Sequence, residues 1–217
     1  SASFSWKYHM FGYNMGAFKI YWKTGNTGSI SGGTLNELAF TADGSSVMGL
    51  SGQQQSRYGA WKDASANLAS HVGTTGRIVF LYYKTSGGFR GDFSVDNMVL
   101  TRNGSDTNLY ETDENTSTLW WSTQSFGMSY SSVANAVADY EDGQTFLRVP
   151  NRDVYYNTTT FYKQDGETPS NDYYTGPTGS ARSTTGAHYI FCETSNNQGL
   201  DDNSNRYCFL VSNEFTL

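Results

Sequence analysis

The stretch ASFSWKYHM sets Phe4, Trp6, Tyr8 and Met10 at alternate positions, with Ser3, Ser5, Lys7 and His9 between them. A period of two is the spacing of a β-strand, whose successive side chains leave on opposite faces, so the segment predicts a strand half buried by large rings. Phe18, Ile20 and Trp22 repeat the pattern against Lys19, Tyr21 and Lys23. Gly12 and Gly16 punctuate the connection, and the two runs together read as a hairpin. RIVFLYYK is apolar on both faces: Ile78, Phe80 and Tyr82 are expected to face the core, and Val79 and Leu81 a neighbouring loop or partner. That makes it the candidate central strand.

Composition points the same way. Sixteen Tyr, thirteen Phe and five Trp supply broad apolar faces in a chain of 217 residues with only three Pro, which favours strands and turns over helices. The length suits one large all-β domain or two small ones. A formal charge of −6 and the lack of any Lys/Arg cluster exclude a phosphate-backbone partner, so no nucleic acid is expected. No apolar run approaches the 18 or so residues that a helical membrane span needs, so no membrane span is expected. The opening Ser in place of Met reads as a mature form or an excerpt.

Other segments are less one-sided. AWKDASANLASH places Trp61, Ala64 and Leu68 at helical spacing, while Ala64, Ala66 and Leu68 also alternate as a strand would. HYIFCETS and NRYCFLVS flank the polar loop NNQGLDDNS and read as two paired strands. These carry the two cysteines, Cys192 and Cys208, which could then sit opposite one another across an antiparallel ladder. A disulfide is geometrically open to them, and a pair of small buried thiols is the alternative. Residues 101–138 begin as a polar, turn-rich stretch, yet Trp120, Trp121 and Phe126 are too apolar for a solvated tether and are expected to pack on the body or on a partner. With seven or more strands spaced by turn signals, the chain is expected to be all-β, a two-sheet antiparallel jelly-roll sandwich.

Residues 76–100, GRIVFLYYKTSGGFRGDFSVDNMVL, resemble the closing strands of a MAM domain, an extracellular β-sandwich module. Residues 175–195, TGPTGSARSTTGAHYIFCETS, are similar to the segment that in MAM domains precedes the strand resembling residues 4–13, FSWKYHMFGY. The order is inverted: the closing half, 1–100, comes first and the opening half, 139–217, last. The resemblance therefore implies one circularly permuted MAM-like sandwich with residues 101–138 as an inserted, aromatic-rich connector. It also favours the strand reading of 60–71 and, through the family's extracellular setting, the disulfide. The cysteines that animal MAM domains carry near their start are absent around 139–150, which suggests a microbial or viral relative.

Chemistry is sparse. His9, His71 and His188 fall in no metal-ligand spacing, and Glu111-Thr-Asp113-Glu-Asn-Thr116 lacks the last acid of the jelly-roll glucanase strand. Arg90-Gly91-Asp92 spells an integrin-binding tripeptide but coincides with a Gly-Asp that MAM domains place at a strand corner. Asp201, Asn203 and Asn205 lack the glycine and the bidentate Glu of an EF-hand. Sequons at Asn103, Asn115 and Asn157 are about as many as a chain this rich in Asn, Ser and Thr gives by chance. One metal site is a candidate: the resemblance places Tyr140-Glu141-Asp142-Gly143 on a first strand beside the last, where Glu141, Asp92 and Asp96 would converge on Ca²⁺. Otherwise Asp92 and Asp96 bond loop amides.

The expectation is a non-enzymatic module displayed outside the cell, on a cell surface or on a virion. It would act in adhesion or protein association with a protein partner or with further copies of itself. A glycan-binding, lectin-like module is the alternative.

Overall fold

The computed structural model describes residues 1–12, 15–25, 33–42, 45–47, 49–55, 59–84, 92–108, 121–126, 146–150, 188–192 and 206–217. Of these, 45–47, 121–126, 146–150, 188–192, 206–208 and residues 84, 92 and 108 are described as backbone. The protein is a β-sandwich of two antiparallel sheets. The larger sheet runs β12 (Phe146–Pro150), β13 (His188–Cys192), β9 (Asp92–Arg102), β1 (Ala2–Phe11), β7 (Lys62–Asn67), β4 (Phe40–Ala42) and β5 (Ser45–Val47), with β10 (Ser105–Asn108) also on β9. The smaller runs β11 (Trp121–Phe126), β14 (Arg206–Ser212), β8 (Thr75–Lys84), β2 (Ala17–Thr24) and β3 (Thr34–Glu37); β6 (Leu50–Ser51) joins it on β2 and β15 (Phe215–Thr216) on β8.

The alternation that predicts β1 and β2 holds at the level of burial. Phe4, Trp6, Tyr8 and Met10 lie in the inter-sheet core, as do Phe18, Ile20 and Trp22. The expected hairpin between them does not form. β1 pairs with β7 and β9, whereas β2 pairs with β3, β6 and β8, so the short connection at Gly12–Gly16 crosses from one sheet to the other. The physical reason is the apolar faces themselves: in a hairpin both would line one face of one sheet, while the crossover sets them face to face. Trp6 then meets Phe18 at 6.0 Å and Phe80 at 5.3 Å, both edge-on, and Phe18 stacks on Phe93 at 4.7 Å. Each such ring contributes roughly 1.5–3 kcal/mol by leaving water, which makes this layer the main source of cohesion.

β8 is interior to its sheet, between β2 and β14, as its two-sided apolar pattern implies. Ile78, Phe80 and Tyr82 face the core. Val79 and Leu81 are fully buried on the other face, together with Phe209, Val211 and Tyr21, none of them part of the inter-sheet core. The ambiguous segment resolves as the strand β7 followed by one 3₁₀ turn, Ala69–His71, because Ala64, Ala66 and Leu68 all reach the core.

HYIFC and RYCFLVS do not pair with each other. β13 lies between β12 and β9, β14 between β11 and β8, so Cys192 and Cys208 belong to different sheets. A connection of thirteen residues, 193–205, is long enough to cross between sheets, and a two-sided apolar run such as β8 needs a neighbour on each side. The stretch 101–138 also contributes directly to the sandwich. Thr101 and Arg102 finish β9, Asn103 and Gly104 turn with positive φ of 50° and 81°, and β10 folds back on β9. Further along, Trp121–Phe126 pairs with β14.

Candidate functional site on the outer face of the larger sheet

The face of the larger sheet turned away from the core carries the polar half of each alternating strand. Along β1 these are Ser3, Ser5, Lys7 and His9; along β7 they are Asp63, Ser65 and Asn67, opposite Lys7, Ser5 and Ser3 in register. At one end the face sinks into an open trough of about 510 Å³, lined by Ser1, Ser3, Thr41, Ser65, Asn67 and Thr101 with Ala39 and Ala69. Its outward-facing side chains are short, none longer than asparagine, while Phe40, which also borders it, is buried in the core; no acidic or basic side chain lines it. Asn67 Oδ1 accepts the Ala69 amide at 2.8 Å, and the Thr101 hydroxyl donates to Asp106 Oδ1 at 2.7 Å, so two lining residues are oriented by their neighbours.

The other end of the face is charged and closed. Lys7 Nζ reaches Asp63 Oδ1 at 2.6 Å; Asp63 is 80% exposed, and an open pair of this kind contributes at most about 1 kcal/mol. His9, Ser94 and Asp96 are fully buried although they face away from the core, His9 directly opposite Ser94 and Asp96 opposite Lys7. The His9 ring lies 5.9 Å from Trp61. A serine, a histidine and an aspartate gathered on one face evoke nucleophilic catalysis, which requires a base within about 2.6–3.2 Å of the hydroxyl. The Ser94 hydroxyl has no hydrogen-bond partner among the described residues, so His9 does not activate it.

Asp96 has a structural task. The pairing of β9 with β1 slips between Ser5 and Lys7, with Asn97 at φ 49°, which marks a β-bulge. Asp96 Oδ1 accepts the Asn97 amide at 2.7 Å and so holds the bulge. The inward positions of β9 are Phe93 and Val95, then Met98 and Leu100. That break in parity was the available sign of a bulge, and period-two reading passed over it. Gln54 was missed as well. Its side-chain amide accepts the Met10 amide at 2.7 Å and donates to the carbonyls of Tyr8 and Ala60 at 3.2 and 3.3 Å. It thereby completes β1 where β7 ends, and nothing in the run QQQ singles out its second member.

Of the expected metal ligands, Glu141 lies outside the described residues. Asp92 and Asp96 stand opposite Phe11 and Lys7 on a single strand, roughly 13 Å apart along β9 at strand rise. No three His, Cys, Asp or Glu side chains gather as a metal site among the described residues. Trp120 also lies outside them, while Trp121 and Phe126, at the two ends of β11, stand in register with Ser212 and Tyr207 of β14. Arg90, Asp201 and the glucanase-like stretch at 111–116 fall outside the described residues. Among those residues, no helix is long and apolar enough to cross a membrane. Comparison with protein-family models, with curated proteins and with solved structures finds no match for this chain.

Proposed function

We propose that this chain is a non-enzymatic interaction module, a MAM-like jelly roll in permuted order, displayed on a cell surface, an appendage or a virion and working by association. The observation that carries this reading is the outer face of the larger sheet. It is broad and polar, and opens into a solvent-accessible trough with no acidic or basic side chain in its lining, while the aromatic rings of the described strands are largely packed inside. Such a face suits lying against another surface rather than enclosing a reacting bond. The hydroxyl and amide lining favours one second reading, a glycan ligand, because sugar hydroxyls exchange hydrogen bonds readily with Ser, Thr and Asn.

Filling the trough tests both. Ser65→Arg combined with Thr41→Arg places two long side chains on exposed positions, so the fold should persist. Sedimentation velocity then reports self-association, and an immobilised glycan panel reports sugar binding. A signal in the native protein that the filled variant loses supports the reading. Equal signals in both would move the contact off this face, and cleavage of a panel glycan would replace the binding module with an enzyme.

A further inference from the structure

We infer that Cys192 and Cys208 close a disulfide across the sandwich, tying the larger sheet to the smaller at their shared edge. Cys192 stands in register with Phe93 of β9, and Cys208 with Tyr82 of β8. Cross-strand partners occupy the same face of a sheet. Phe93 and Tyr82 both belong to the inter-sheet core, where their rings stack 5.5 Å apart and 9° from parallel. β13 lies beside β9 and β14 beside β8, on the side away from β1 and β2. Each cysteine position is thus one strand outward from a pair that already meets across the gap.

The sheets also converge at this edge. Cα atoms of β12 come within 8 Å of β11 and of β14, nearer than the ~10 Å usual between stacked sheets. Disulfides span Cα separations of about 4.4–6.8 Å, and a bond between facing sheets is an established device of β-sandwiches. The chain has two cysteines in all, with fifteen residues between them, and the register sets both beside this one ring pair.

Formation is a thiol–disulfide exchange. One thiolate attacks a small-molecule disulfide such as oxidised glutathione and releases one glutathione thiol. The second cysteine attacks the mixed disulfide and releases the other. Two protons and two electrons leave the protein's thiols, and the oxidant is reduced to two thiols. The bond links consecutive strands that sit in opposite sheets, so its reduction would free the β11–β14 and β12–β13 edge to part. Meeting an oxidant depends on the extracellular setting proposed above, whereas the placement does not.

The test uses the intact chain, purified reduced and then equilibrated folded with oxidised and reduced glutathione. Trypsin cuts after Arg182 and Arg206 and leaves one cysteine in fragment 183–206 and the other in 207–217. Digestion without reductant should yield these two joined as one species, lighter than their sum by two hydrogens, and a thiol reagent in denaturant should find no free cysteine. Two reactive thiols persisting after equilibration, or linked fragments confined to dimers on a non-reducing gel, would overturn the assignment. If the bond forms in this test but material from the protein's natural location carries free thiols, the pairing stands and the extracellular reading falls.

Discussion

Gly76 sits where β8 passes Trp22, and a methyl group there would fall against the Lys23 carbonyl oxygen and within 2.7 Å of the Trp22 ring. Neither a strand carbonyl nor a buried indole can withdraw. Gly76→Ala is therefore expected to lower stability by about 3 kcal/mol, read as a fall in the denaturant midpoint. Gln54→Ala removes the acceptor of the buried Met10 amide at the end of β1, at a cost of roughly 1–3 kcal/mol, read from the same midpoint. Tyr21 carries a pH dependence. Burial, then the charge of Glu37 and then Tyr83, push its phenol well above its ordinary value of 10.0. In the unfolded chain the phenol ionises near pH 10, whereas in the folded chain it stays neutral. Its contribution is thus complete below pH 10 and declines as pH climbs beyond it. In alkaline unfolding titrations, Tyr21→Phe should lose stability less steeply above pH 10 than the native protein, by up to one proton's worth of slope.

At the scale of the element, the two-sided strand and the bulged strand make opposite demands on sequence. The apolar character of β8 on both faces was legible in RIVFLYYK, and the burial of Val79 and Leu81 outside the inter-sheet core follows it. Val79→Lys should therefore cost on the order of 3 kcal/mol or more, the penalty of a charge without a partner in a dry site, where an exposed strand face would tolerate it. An unchanged thermal midpoint would show that this face is open. The bulge in β9 was not legible, since the pair Asp96-Asn97 reads as an interruption until its φ and its hydrogen bond are known. Asn97→Val, which forces a β-branched residue to φ 49°, should destabilise by about 1–3 kcal/mol, while Asn97→Gly should be nearly neutral. A larger loss for glycine than for valine would mean that the Asn97 side chain, and not its backbone, matters.

At the scale of the whole molecule, both ends of the chain are held at one pole, by the segment 68–73 and by the end of β9. Leu68 donates its amide to the Ala2 carbonyl, Gly73 donates to the Leu217 carbonyl, and Arg102, opposite Ala2 in register, donates to the Thr216 carbonyl at 3.0 Å. A chain in which a short Gly/Ser linker joins Leu217 to Ser1, opened instead in the exposed turn between Asn103 and Gly104, should fold with an unfolding midpoint close to the native one, because joining neighbouring ends costs little loop entropy. It would also run in the order that the MAM resemblance implies, and an insoluble product would count against the permuted reading. By itself the sequence determined that β1, β2 and β8 are strands and which of their sides are apolar, because the two-residue period and the bulk of Phe, Tyr and Trp act within a few residues. It could not determine which strands are neighbours. β1 and β2 carry the same pattern whether they fold back on each other or face across the core, and the strands of Cys192 and Cys208 read alike as a hairpin or as members of opposite sheets. Pairing is a competition among all the apolar faces of the chain for burial against one another, and only the tertiary structure, where β8 takes β2 and β14 and β9 takes β1 and β13, decides it.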